Sequence, residues 1–143
     1  MRLVTLITTV ALSAGAAHAS VDPATLRASG DWRLSEVGGK IACTLTLTSQ
    51  AAFAGFELKA PLACRRAFPP LMTVAAWSLD DRGDIVLADA KAQPIVTFPA
   101  QAKEAQAKGP YETKAPDGHT WRLELVKAAS PDDPIKTAPP PAG

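Results

Sequence analysis

Between Gly30 and Val126, apolar and polar residues alternate with a period of two. In "IACTLTLTS", Cys43, Leu45 and Leu47 share one face while Thr44, Thr46 and Thr48 share the other. That is the pattern of a half-buried strand, and threonine suits its solvated side. "TWRLELV" repeats it, with Trp121, Leu123 and Leu125 inward and Arg122 and Glu124 outward. "DWRLSE" aligns Trp32 with Leu34 against Asp31 and Arg33. Shorter strands are predicted over Phe53–Leu58, Thr73–Trp77, Asp84–Leu87, Ile95–Phe98 and Pro110–Lys114. "EVGGK", "DDRGD" and "PDGH" place glycine where a hairpin turn needs positive φ. This succession predicts an all-β fold, a small eight-stranded antiparallel up-and-down β-barrel whose closure removes the exposed edges of an open sheet. Trp32, Leu45, Trp77 and Trp121 are expected to fill its interior.

Helical periodicity is scarce. Pro23–Ala28 can form one short turn, with Asp22 as N-cap and Pro23 at the first helical position. Residues 100–109, "AQAKEAQAKG", are helix-forming in composition but have no apolar face, and are expected to form an exposed loop.

The two ends differ in kind from the strand region. Met1-Arg2, an apolar run from Leu3 to Leu12 and small residues up to Ala19 follow the order of a secretory signal peptide. The run is far shorter than the ~20 residues of a spanning helix, and no second one occurs later. Ala17-His18-Ala19 has the form of a signal-peptidase site, which makes Ser20 the mature start; Ala14-Gly15-Ala16 is an alternative that would start the chain at Ala17. Ser20 is not a cysteine, so no lipid anchor is expected there. Residues 128–143, rich in Pro, Ala and charge, offer little to bury and are read as a disordered tail. The expected organisation is a signal peptide (1–19), an N-terminal arm (20–29), a barrel (30–127) and the tail (128–143), in a periplasmic or secreted protein.

Export changes the reading of the composition. Without Arg2 the chain carries 14 basic residues against 14 acidic ones. A near-neutral chain has no electrostatic case for binding nucleic acid or an anionic membrane. Cys43 and Cys64 are the cysteines of the chain. In an oxidising compartment an even count suggests a disulfide, two free thiols being the alternative. Catalytic candidates are few. His18 leaves with the signal peptide, so His119, in a Gly-containing turn, is the one imidazole of the mature chain. There is no metal-ligand spacing and no phosphate-binding loop, and Asp80-Asp81 and Asp132-Asp133 fall in turn or tail sequence. Neither an enzyme, a cofactor nor a bound metal is expected. Arg82-Gly83-Asp84 spells an adhesion tripeptide, but it lies in a predicted hairpin that needs such residues anyway.

"SGDWRLS", "CTLTL", "FELKAPLACRRAFPPLMTVAAWSLDDRGDIVLAD" and "YETKAPDGHTWRLEL" follow one another in an order and spacing that resemble the AprI/Inh family. These are secreted bacterial inhibitors of serralysin-type zinc metalloproteases, and a Brucella outer-membrane lipoprotein inhibitor is among them. The resemblance runs from about Leu26 to Leu125. It implies an eight-stranded barrel and a disulfide joining Cys43 to Cys64. It also implies a mechanism: the arm Ser20-Val21-Asp22-Pro23 would lie in the protease cleft, with the free amine of Ser20 near the catalytic zinc. Asp22-Pro23 departs from the more apolar arm common in the family. The partner so implied is a secreted serralysin-like metalloprotease, met by a monomer. The alternative from a different class is a non-inhibitory periplasmic barrel that binds a small apolar ligand or an envelope protein.

Overall fold

The computed structural model describes residues 21–100 and 110–129. The expected signal peptide (1–19), Ser20, residues 101–109 and the expected tail from Ser130 onward lie outside these. The chain opens with helix α1 (Pro23–Ala28), followed by strands β1 (Gly30–Glu36), β2 (Ala42–Ala52) and β3 (Gly55–Lys59). Helix α2 (Leu62–Ala67) and a 3₁₀ turn (Pro69–Thr73) come next, and then β4 (Ala76–Leu79), β5 (Ile85–Ala88), β6 (Pro94–Phe98), β7 (Tyr111–Lys114) and β8 (Thr120–Ala128). The eight strands form one antiparallel sheet in the order β6-β5-β4-β3-β2-β1-β8-β7.

The expected up-and-down antiparallel order is therefore present, with β1 joining the far end of the chain through a ladder from Gly30↔Ala128 to Glu36↔Trp121. Closure is not: among the described residues no ladder links β6 to β7, and the sheet is open at that seam. Residues 99–110 connect these strands, and a connection of that length does not impose the register that a two-residue hairpin does. Beyond its paired residues the β5–β6 hairpin is tied by a side chain. Asp84, just ahead of β5, accepts a hydrogen bond from the Ala100 amide beyond β6 at 2.8 Å.

The alternation places the core as predicted. Trp32, Leu45, Trp77 and Trp121 are all 0% exposed, packed with Leu34, Ile85, Leu87, Phe98 and Leu123. Burying an indole leaves its N–H in need of an acceptor, and each finds one: Ala28 O for Trp32 at 2.8 Å, Thr48 O for Trp77 at 2.9 Å, and the Asp117 carboxylate for Trp121 at 3.2 Å. The predicted turn glycines Gly38, Gly83 and Gly118 have φ of 78°, 85° and 87°.

Two expectations need correction. The strand predicted over Phe53–Leu58 begins only at Gly55, and Phe53 sits in the β2–β3 turn, 92% exposed. The strand predicted from Thr73 begins at Ala76, because Thr73 ends the 3₁₀ turn that follows an unpredicted helix α2. A six-residue helix is too short to be stable by itself. Tertiary contact holds it: Cys64 is bonded to Cys43 of β2, with Cα atoms 5.5 Å apart. Phe68, Leu71 and Val74 are buried behind it, with the Phe68 ring edge-on to Trp121 at 5.1 Å. The Arg65 guanidinium donates to the carbonyls of Leu71 and Val74 at 2.6 and 3.1 Å. This block plugs the end of the sheet where the β1–β2 and β7–β8 turns lie.

Candidate functional site

The opposite end carries the predicted arm. Of its residues, Val21, Asp22 and Pro23 are described, and Ser20 lies just before them. Asp22 is the N-cap of α1, its carboxylate accepting from the Ala24 amide at 3.0 Å, and Pro23 opens the first turn. Both residues therefore serve to stop the arm and start the helix: the aspartate is turned back onto its own chain, and the proline has no N–H to leave unsatisfied. Ser20 and Val21 are what precedes this cap in a chain that starts at Ser20.

The far end of α1 is locked to the sheet. Ser29 donates its hydroxyl to Thr25 O at 2.8 Å, Ala28 O receives the Trp32 indole, and Ser29 O accepts from the Ala129 amide at 3.0 Å. Thr25, Ala28 and Ser29 are buried. Gly30 makes the turn from helix into β1 at φ 145°, and a Cβ there would collide with the Lys127 carbonyl. The arm thus leaves from a fixed base rather than from a loose strand end.

Beside α1 stands the β4–β5 hairpin. A groove of about 700 Å³ runs between them, lined by Asp22, Ala24 and Thr25 on one side and by Leu79 to Gly83 on the other. The hairpin is stiff because Asp80 organises it. Its carboxylate accepts from the amides of Arg82 and Asp84 at 2.9 and 3.0 Å, and its carbonyl accepts from Gly83 at 2.9 Å. Burial pushes the Asp80 carboxyl up, but the hydrogen bonds from Asp84 and Arg82 outweigh it and hold the pKa below the ordinary carboxylate value. Arg82 bridges Asp80 at 3.3 Å and Asp84 at 3.1 Å. In Arg82-Gly83-Asp84 the two charged ends therefore pair with each other, and Asp84 is only 8% exposed. The tripeptide builds the hairpin; it does not display an aspartate for an adhesion receptor.

The remaining candidates fall elsewhere. His119 lies at the plugged end, donating from Nδ1 to Glu36 at 2.8 Å. It ties the β7–β8 turn to β1. Among the described residues no group of three or more His, Cys, Asp or Glu could hold a metal ion, and no helix is long and apolar enough to cross a membrane. The interior suits packing rather than a ligand: indole and aliphatic side chains occupy it, while the grooves are lined in part by outward residues such as Thr44, Thr46 and Lys59.

A family model described as "Protease inhibitor Inh" matches residues 22–124. The chain belongs to the Inh family of protease inhibitors. The inhibitors of this family are not enzymes, which accords with a chain whose polar residues build turns and caps. The match begins at the cap of α1, so Ser20 and Val21 precede it. Among solved structures, the crystal structure of a psychrophilic marine protease MP inhibitor is similar, with a TM-score of 0.55 and 19% identity. The similarity covers 72% of this chain and 99% of that one, and it shows a shared fold. The curated proteins contain no match.

Sequence reasoning located the cap, the cysteine pair and the core tryptophans. It missed the α2 plug and the grouping of α1 with the Asp80–Asp84 hairpin. For the plug, the bracketing of "LACRRA" by Pro61 and by Pro69-Pro70 was the available signal. For the grouping there was none, because α1 and the hairpin are far apart in the chain.

Proposed function

We propose that this Inh-family protein is a monomeric periplasmic or secreted inhibitor of a serralysin-like zinc metalloprotease, acting through the arm Ser20-Val21-Asp22-Pro23. The geometry at Asp22 carries the reading. Its carboxylate caps α1, so in a chain cleaved before Ser20 two residues precede a rigid support, which supports the reading. A catalytic zinc keeps one position open for water, and the free α-amine of Ser20 is suited to replace that water. It can do so only when deprotonated, with an ordinary pKa of about 7.7–8.0. A fixed base limits the ordering cost of binding.

Two forms of the protein test this against a panel of metallo- and serine proteases: one starting at Ser20 and one carrying extra residues ahead of it. The expected result is metalloprotease inhibition by the first and a large loss of potency in the second. Equal potency would exclude the amine as a zinc ligand. Inhibition by the first form should also weaken as pH falls below the amine's pKa, measured with a protease whose own activity is flat across that range.

A further inference from the structure

The near-neutral total of charge conceals a separation of charge along the sheet. Each connection at the plugged end carries or is flanked by an exposed cation: Lys40 in the β1–β2 turn, Lys59 at the end of β3, Arg66 on α2, Lys91 in the β5–β6 turn and Lys114 at the end of β7. These connections are neighbours. Val37 donates its amide to Thr120 O at 2.8 Å, Cys64 is bonded to Cys43, and Ala75 donates to Ala88 O at 2.8 Å. The carboxylates of this end are drawn into local bonds: Glu36 pairs with His119, Asp89 accepts from the Lys91 and Gln93 amides, and Asp117 accepts from the His119 amide and the Trp121 indole. At the α1 end the balance reverses, with Asp22, Asp80, Asp81 and Asp84 beside Arg27, Arg82 and Lys127. The two ends are one strand apart, seven residues in β1 or ~23 Å, against a screening length of ~10 Å at 0.1 M salt. A charged surface touching the plugged end therefore responds to its cations and not to the distant carboxylates.

Aliphatic side chains stand among these cations. Val37 and Ile41 in the β1–β2 turn and Leu62 and Met72 on the plug are 45%, 44%, 55% and 55% exposed, while the aromatic rings of this block, Phe68 and Trp121, are turned inward. Protein interfaces concentrate aromatic residues in a core depleted of charge. Separate aliphatic side chains interleaved with Lys and Arg are the opposite arrangement. It suits a headgroup layer, where alkyl chains enter the acyl boundary and cations meet phosphates. The long stems of Lys and Arg add apolar surface beneath their charges.

We infer that the plugged end is a peripheral membrane-docking face whose partner is a bilayer surface bearing anionic phospholipid headgroups. Leu62 and Met72 enter the interface, and Lys40, Arg66 and the neighbouring lysines pair with the phosphates. Docking of this kind needs no protease, and it leaves the α1 end facing away from the bilayer.

The test uses the full chain, expressed with its own leader and taken as the cell delivers it. It is sedimented with vesicles of mixed phosphatidylglycerol and phosphatidylcholine, or of phosphatidylcholine alone, with thermal midpoints recorded for every variant. Binding to the anionic vesicles should exceed binding to the neutral ones and should fall as salt is raised from about 0.05 M to about 0.5 M. Arg66→Glu should weaken anionic binding about tenfold, whereas Lys127→Glu, the same charge change at the α1 end, should alter it less than about twofold. Lys40→Glu repeats the reversal in a turn outside the plug, should Arg66→Glu lower the midpoint. Leu62→Ser with Met72→Ser should also weaken binding about tenfold. Equal loss from Arg66→Glu and Lys127→Glu, equal binding to both kinds of vesicle, or indifference to the Leu62 and Met72 changes overturns the face. So does the absence of binding to anionic vesicles, which leaves an acidic protein as the partner these cations would fit.

Discussion

The two ends of the sheet are held by different means, and in the inhibitory reading proposed above the difference separates stability from recognition. At the plugged end a covalent bond, a buried aromatic and an arginine chelating backbone carbonyls fix α2 and the 3₁₀ turn in place. At the arm end the restraints are hydrogen bonds: an aspartate cap, a serine returning to its own helix and an indole on Ala28. The first set resists unfolding whatever the chain's partner. The second fixes where α1 begins and how it is joined to β1, and in the inhibitory reading proposed above the chain ahead of it is the arm.

The comparison can be broken at its strongest point first. Phe68→Ala removes a ring that is 1% exposed and edge-on to Trp121, and should cost about 3–5 kcal/mol of stability. Inhibition by the folded fraction should be unaltered, read as urea midpoint against inhibition constant on the same samples. Removing the disulfide with Cys43→Ala and Cys64→Ala opens a loop whose ends lie 21 residues apart, at a cost of about 3 kcal/mol. Again the loss should appear in the urea midpoint and not in inhibition. If either change weakened inhibition in proportion to its effect on stability, the division between the ends would fail.

Asp22→Ala reverses the expected balance. Losing an N-cap costs only about 1 kcal/mol, but it frees the base of the arm. Inhibition should fall more than the thermal midpoint suggests, and Asp22→Asn or Asp22→Ser, which retain a cap acceptor, should restore it. The smallest effect concerns the open seam. Burial raises the Tyr111 pKa, and the nearby Asp84 charge raises it further, so folding favours the neutral phenol. That preference is present in full below about pH 10, the unfolded value, and is lost as pH rises through the folded value. Tyr111→Phe should therefore flatten the alkaline decline in stability while leaving neutral-pH inhibition intact, as thermal midpoints across the alkaline range would show.

The strand region was legible because its information is local. The alternation in "CTLTLT" and "TWRLEL" assigns each side chain to a face, and a slip of one residue would bury threonine and arginine in place of leucine and tryptophan. Gly38, Gly83 and Gly118 were legible for the same reason, since a tight turn demands positive φ at a particular place. So was the cap, where Asp22 and Pro23 act on the atoms next to them. Phe53 misled because an aromatic residue suits a strand, yet it and Ala54 form the turn before β3 begins at Gly55.

What the sequence by itself determined is therefore the set of strands, the buried face of each, the helical turn after Asp22 and, through the family resemblance, the pairing of Cys43 with Cys64. The tertiary structure decided the rest. It left the sheet open between β6 and β7, where no short turn imposes a register. It made a helix of Leu62–Ala67, which six residues cannot sustain without the disulfide and the buried ring behind them. It also brought α1 beside a hairpin more than fifty residues later in the chain. Periodicity records which way a side chain faces; only packing decides which distant surface it then meets.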